Sequence, residues 1–257
     1  MSTFQKMRLF PHNNYDAFHI TSKKVFDSTS GGYFDQTTIE KVLRFAWDMT
    51  FGTTGEHRAY RSGGTRGRKN GELFINTFQG KIAEYGLSIS LKHRNIPCSE
   101  PDMERYPLGQ WDQYDLICAD TTIAVKSAAF FSNLLLLETR DWDPNGTYIP
   151  TGKRYDYFVF IRIKPDGKDV FRRNRLMFCN SIERTFIEQL VMTNKWEYDI
   201  PGCITLKDLL EIIRNRFVLP RGARLNGRIP MDAENYYAQA GDLRDIEYLI
   251  SELSNNH

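Results

Sequence analysis

Cysteine is scarce in this sequence: of 257 residues only Cys98, Cys118, Cys179 and Cys203 are thiols, with no C-x-x-C pair and no histidine at zinc-ligand spacing. That pattern excludes a disulfide framework and a structural zinc site, and it predicts four free thiols packed as small apolar side chains. Long apolar runs are missing as well. Stretches such as Leu134–Leu137 fall far short of the roughly 20 residues that span a bilayer, and the opening MSTFQKMRLFPHNNYD has no continuous apolar core of the signal-peptide kind. The expectation is a cytosolic protein without a membrane partner. There is no large excess of either charge, with 34 Lys plus Arg against 32 Asp plus Glu. A phosphate-binding G-x-x-x-x-G-K-[ST] loop is absent, as are internal repeats and low-complexity linkers. The 41% of hydrophobic residues is enough for a real core, so a single compact unit is expected.

Small net charge conceals strong local clustering. Between His57 and Gly71 there are Arg58, Arg61, Arg66, Arg68 and Lys69 with no acid, in a glycine-rich setting that permits close backbone approach to phosphates. Arg214, Arg216, Arg221, Arg224 and Arg228 form a second acid-free series, and Arg172, Arg173 and Arg175 a third. Arginine meets phosphate, and also guanine O6 and N7, in bidentate geometry. Arg58, Arg61, Arg66, Arg68, Lys69, Arg221, Arg224 and Arg228 are therefore the candidate DNA-binding residues. Asn226, Asn235 and Gln239 are of the residue types that pair with adenine, and equally of those found in turns and on helix surfaces. From Ile229 onward six acids face one arginine, a segment expected to pack against the basic series or a second subunit.

Periodicity supplies the elements. Apolar residues at Ile39, Val42, Phe45, Ala46 and Met49 predict an amphipathic helix over 35–51. A second helix is expected over 72–85, stopped at Gly86, with Glu84 in its last turn. YDLICADTTIAVKSA predicts a hairpin turning at Ala119 and Asp120, FSNLLLLETRDWDPNG a strand or buried helix, and RYDYFVFIRIKP the clearest strand, closed by Pro-Asp-Gly. The later segments read as mostly helical, one opening with the capping pair Thr205 and Asp208.

Such a hairpin sets Asp115 beside Lys126, and a helix beneath it is positioned to bring Glu84 to the same edge. Carboxylates with a lysine at a sheet edge suit phosphodiester hydrolysis, because carboxylates hold Mg²⁺ and an ammonium orients water. On Glu84 in QGKIAEYG, Asp115 in QYDLIC, Ala124-Val125-Lys126 in TTIAVKSA and the strand FVFIRI, the segment Glu72 to Pro165 resembles the PD-(D/E)xK nuclease superfamily, and within it the type II restriction endonucleases. The resemblance implies an α/β (α+β) fold with a central mixed β-sheet flanked by helices, Mg²⁺-dependent cleavage of double-stranded DNA, and a homodimer. Residues 1–71 then supply a helix and a basic DNA-contacting loop, 72–165 the catalytic core, and 166–257 a helical part for DNA contact or dimerisation. The implied catalytic residues are Asp115, Lys126, Glu84 and Glu138, with Asp115, Glu84 and Val125 around the metal.

One departure is plain. The tripeptide normally opens with an acid, and here that position is Ala124; Glu84, or Glu138 twelve residues after Lys126, is the candidate replacement. Asp102, in a literal Pro-Asp pair, competes with Asp115 as ligand. The alternatives are a non-catalytic DNA-binding protein with a degenerate nuclease fold and a structure-specific repair nuclease.

Overall fold

The computed structural model describes residues 4–52, 69–104 and 114–255. Its elements run β1 (Arg8–Pro11), β2 (Asp16–His19), β3 (Gly32–Tyr33), α1 (Gln36–Phe51), α2 (Asn70–Lys92), β4 (Leu116–Cys118), β5 (Thr121–Ala129), β6 (Leu134–Glu138), β7 (Tyr157–Lys164) and α3 (Gly167–Arg173). They continue through α4 (Arg184–Met192), β8 (Glu197–Thr205), α5 (Leu206–Arg214), β9 (Val218–Leu219), β10 (Arg224–Leu225), β11 (Ile229–Pro230), β12 (Asn235–Gln239) and α6 (Ile246–Asn255). The fold is mixed α+β. Among the described residues no helix is long and apolar enough to cross a membrane.

β7 is apolar on both faces, a pattern that suits a strand covered from both sides. It is the middle strand of a five-stranded sheet ordered β3-β8-β7-β5-β4, with β5 parallel to β7 and the other pairs antiparallel. Val159, Ile161 and Ile163, with Ile123 and Val125 of β5, face a core built from α1, α2, α4 and α6. Phe158 and Phe160, with Ala124, face a second core shared with Leu135 and Leu137 of β6, Leu209 of α5 and Tyr237 of β12. The sheet β6-β12-β9 closes that second layer, and a separate four-stranded sheet runs β1-β2-β10-β11.

Local sequence explains several of these elements. The Asp35 side chain accepts from Thr38 N at 2.6 Å and opens α1, whose Ile39, Val42, Leu43 and Ala46 are buried. Thr205 and Asp208 form a reciprocal capping box at α5. Two expectations are corrected. Gly86 does not end the second helix, which continues to Lys92, so Glu84 lies in its interior. A Cβ on Gly86 would sit 3.0 Å from the Tyr198 ring and 3.3 Å from that of Phe34, so the missing side chain serves to seat those two rings on α2. The later segments are not mostly helical: the strands β8 to β12 lie among α3 to α6, and β8 runs through Pro201-Gly202. Gly202 sits beside an irregularity in the β7–β8 pairing, with φ of +148° and the Arg244 carbonyl 2.2 Å from where a Cβ would stand.

Arg162 ties these layers together. Its Nε donates to Asp199 Oδ1 at 2.9 Å, Nη1 to the carbonyls of Lys24 (2.8 Å) and Ser132 (3.2 Å), and Nη2 to the Val25 carbonyl (2.9 Å) and to Asp199 Oδ2. All five N–H donors are engaged in a pair whose side chains are 1% and 2% exposed. Removing one partner strands a buried charge, so Arg162→Met is expected to cost about 3–5 kcal/mol, read as a lower midpoint in urea. Arg162→Met/Asp199→Asn should recover only part of this, because three backbone carbonyls still lack their donor.

The thiols of Cys98 and Cys118 are free and face each other across the contact in which Ser99 N donates to the Ile117 carbonyl at 2.7 Å. The hydrogen bond from Cys118 lowers the Cys98 pKa to about 7 against the opposing effect of burial, with Ser88 and Lys92 assisting, while Cys118 is pushed up. Iodoacetamide should alkylate Cys98 at lower pH than it does an ordinary thiol, with Cys118 unmodified in the folded protein; mass spectrometry of tryptic peptides reads both.

Candidate active site at the open edge of β5

β4 pairs with residues 121–123 of β5, so among the described residues no strand pairs with that edge of β5 beyond Ile123, while β7 covers the other edge as far as Ala129. Asp115, one residue before β4, closes the first part of that edge: its Oδ2 accepts the Val125 N–H at 2.7 Å. Leu116 packs toward the helices, so alternation turns Asp115 to the opposite face, shared with Ala124 and Lys126. The extended register sets Asp115 across from Ala124, with Lys126 two residues further on. Ala124 itself is fully buried against the second core.

From Val125 onward β5 forms one wall of a cleft of about 700 Å³. Lys126 lines it, together with Glu138 at the end of β6. The Glu138 side chain is 19% exposed and has the Arg140 Nε 3.6 Å from its Oε2. α2 contributes Asn76 and Gln79, α3 contributes Lys168 and Arg172, and the Asp232–Asn235 segment closes the far wall. A side chain on Gly167 would collide with Ile75 and crowd Gln79, so that glycine lets the start of α3 approach α2 at the cleft. Asn76, Gln79 and Lys168 escaped the sequence reading. Their only local signal is the Pro165-Asp166-Gly167 turn, which positions α3 through the Asp166 cap on Lys168 N.

The structure thus groups Lys126, Val125 and Glu138 at one cleft and bonds Asp115 to the same strand. Glu84 is not among the residues lining that cleft. It is buried within α2, 2.7 Å from the Lys81 Nζ, and that ammonium lies over the Phe45 ring of α1. The helical turn that reaches the cleft is the one bearing Asn76 and Gln79, and Glu84 lies further along α2. Asp102 lies in the loop after α2, its Oδ1 taken by Glu104 N at 2.7 Å.

Among the described residues no three His, Cys, Asp or Glu side chains converge as a metal cluster. Mg²⁺ is commonly held by one or two carboxylates and completed by waters and substrate phosphates. Glu138 lines the cleft with Lys126, and Asp115 lies at the adjoining edge of β5 with one carboxylate oxygen on the Val125 amide, so these are the two carboxylates available for that mode. Val125 has its N–H committed to Asp115, leaving its carbonyl as the oxygen it could offer.

The other expected contacts divide in two. Arg58, Arg61, Arg66 and Arg68 lie outside the described residues, and Lys69 is the exposed N-cap of α2. Arg221, Arg224 and Arg228 are exposed. Arg172 and Arg173 instead pair with Asp169 at 3.5 and 2.6 Å. The adenine-reading candidates hold the fold. Asn226 Oδ1 accepts from Ile20 N, the buried Asn235 amide bonds the Ala233 carbonyl, and the fully buried Gln239 joins Thr21 N, Ser22 N and the Gln5 carbonyl. Two acids of the C-terminal segment pair elsewhere than with the 214–228 arginines: Glu247 lies 3.0 Å from Arg94 and Asp245 3.9 Å from Lys24. No protein-family model, curated protein or solved structure matches the chain.

Proposed function

We propose that the protein is a Mg²⁺-dependent endonuclease of the restriction type, acting on double-stranded DNA as a homodimer, with its active site at the open edge of β5. The observation that carries this reading is the placement of Asp115 on the Val125 amide, beside Lys126 and on the same sheet face, where β5 enters the cleft that Glu138 also lines. The restriction-endonuclease-like core belongs to the same proposal. Hydrolysis adds water across one P–O ester bond and leaves a phosphate monoester and a hydroxyl. The Lys126 ammonium orients the attacking water and stabilises charge growing on the phosphate oxygens. Lys168 and Arg172 on the neighbouring wall hold the flanking phosphate. Mg²⁺ bound by Asp115 and Glu138 would supply water activation and charge neutralisation. A twofold dimer matches a palindromic duplex, one active site for each strand.

A second reading rests on Ala124. With no acid there, and with its side chain packed in the core, the fold serves as a DNA-binding protein without cleavage. The two readings part on a labelled duplex incubated with and without Mg²⁺. The nuclease reading expects Mg²⁺-dependent cutting that falls at least about 100-fold in Lys126→Ala, while duplex binding is retained. Wild-type cutting by Lys126→Ala, or no cutting by the wild type at any Mg²⁺ concentration, contradicts it.

The two glutamates should behave differently. Glu138→Gln is expected to lower the rate and raise the Mg²⁺ concentration needed for half-maximal cutting, with an unchanged melting temperature. Glu84→Gln weakens a buried ion pair and should cost about 1–3 kcal/mol of stability, with cutting largely kept well below the melting point. The opposite pattern would move the site to α2.

A further inference from the structure

We infer that the four-stranded sheet β1-β2-β10-β11 is a DNA-gripping surface, binding the phosphate backbone of the duplex whose scissile bond enters the Lys126 cleft. The identity of the partner rests on the nuclease reading; the surface itself rests on separate observations. The two segments that build it, residues 4–20 and 220–231, hold Lys6, Arg8, Arg221, Arg224 and Arg228 against a single acid, Asp16. They are far apart in sequence, and the parallel pairing of β2 with β10 brings their charges together, with Arg224 opposite Ala17. All five cations are exposed, and none of the four arginines is paired with a carboxylate among the described residues.

Aromatic rings of the sheet and its turn hold Arg224 and Arg8. The Arg224 guanidinium lies 4.2 Å from the centroid of Tyr15, Tyr15 stacks on His12 at 4.7 Å, and Arg8 lies over Phe10, which meets His19 edge-on at 4.8 Å. Cation–π contacts fix the position of a guanidinium without neutralising it, so its donors stay available to phosphate. Every residue of β1 is exposed, and Leu9, Phe10 and Ile229 are large apolar side chains left in solvent. The surface is also continuous with the cleft. β11 contributes Ile229 to the cleft wall, followed by Met231 and Asp232.

The test is fluorescence anisotropy of a labelled 20-base-pair duplex without divalent ions, across a range of KCl concentrations. The wild type is compared with Arg8→Ala/Arg224→Ala/Arg228→Ala and with Arg184→Ala, which removes an exposed arginine of α4 that is paired with Glu188. The triple variant should bind at least about 10-fold more weakly at low salt. Its slope of log affinity against log salt should shrink by about 0.9 for each phosphate that the variant no longer neutralises. Arg184→Ala should match the wild type. Affinity and slope in the triple variant equal to those of Arg184→Ala would overturn the inference, as would tighter wild-type binding to an RNA duplex of the same sequence. Arg8→Gln and Arg228→Gln, singly and at exposed positions, give the same readout if the triple substitution disturbs the sheet. Binding through the sheet without any cutting refutes the nuclease reading alone; cutting by a wild type whose triple variant binds unchanged refutes the sheet alone.

Discussion

A single buried guanidinium organises this molecule. Arg162 sits on the central strand β7 with all five of its donors satisfied, two by Asp199 of β8 and three by backbone carbonyls of segments remote in sequence. Burying an ion pair rarely adds net stability over a well-packed apolar pair, but breaking one is costly. Its effect here is to fix geometry. The carbonyls it holds belong to Lys24, Val25 and Ser132, and Asp199 also accepts the Asp27 amide at 3.0 Å. The chain leading from the N-terminal hairpin and the chain leading into β6 are thereby pinned at one point on the sheet.

Both proposed functional surfaces follow from that point. Ser132 and Asn133 lead into β6, which ends at Glu138, and the Asn133 Oδ1 takes the Lys24 amide at 2.8 Å. The chain before Lys24 returns to β2 and β1 and is fastened to β12 by Gln239 on Thr21 and Ser22 and by the Tyr237 hydroxyl, which accepts from Met7 N at 3.0 Å. The hairpin carrying Arg8 therefore has a rigid base and an exposed tip. Lys126 needs no such tether, because β5 is held by β7 along seven paired residues. Catalysis needs the acids and the ammonium fixed to fractions of an ångström, and strands deliver this better than loops.

Much of this was legible in the sequence, for local reasons. The amphipathic helix α1, the capping box at Thr205 and Asp208, the dense apolar run of β7 and the hairpin around Ala119 are set by neighbouring residues, and all lie where periodicity and turn chemistry put them. What escaped depends on remote contacts. The strand β8, in a part expected to be mostly helical, forms because β7 pairs along it and the Arg244 backbone closes on Gly202. Gly86 is stop-like until Phe34 and Tyr198 pack there. Asn226, Asn235 and Gln239 were open between base readers and structural residues, and only their tertiary partners decide for structure. Arg162 was invisible inside its strand motif, and the joining of Arg8 to Arg224 requires a parallel pairing across some 200 residues. At the site, the order Asp115, Lys126, Glu138 could be read along the chain, whereas the place of Glu84 depended on how α2 packs, with Asn76 and Gln79 at the cleft and Glu84 buried beside Lys81.

The central claim is that Asp115, Lys126 and Glu138 surround one metal-supported hydrolytic centre, and metal-centred affinity cleavage tests it most directly. The protein is loaded with Fe²⁺ in place of Mg²⁺ in the presence of duplex DNA, ascorbate and peroxide are added, and the oxidative breaks in the polypeptide are mapped by mass spectrometry. Breaks clustered near residues 115, 125–127 and 138, suppressed by excess Mg²⁺ and reduced in Glu138→Gln, are the predicted result. Breaks confined to the neighbourhood of Lys81 and Glu84, or none above background, would contradict it.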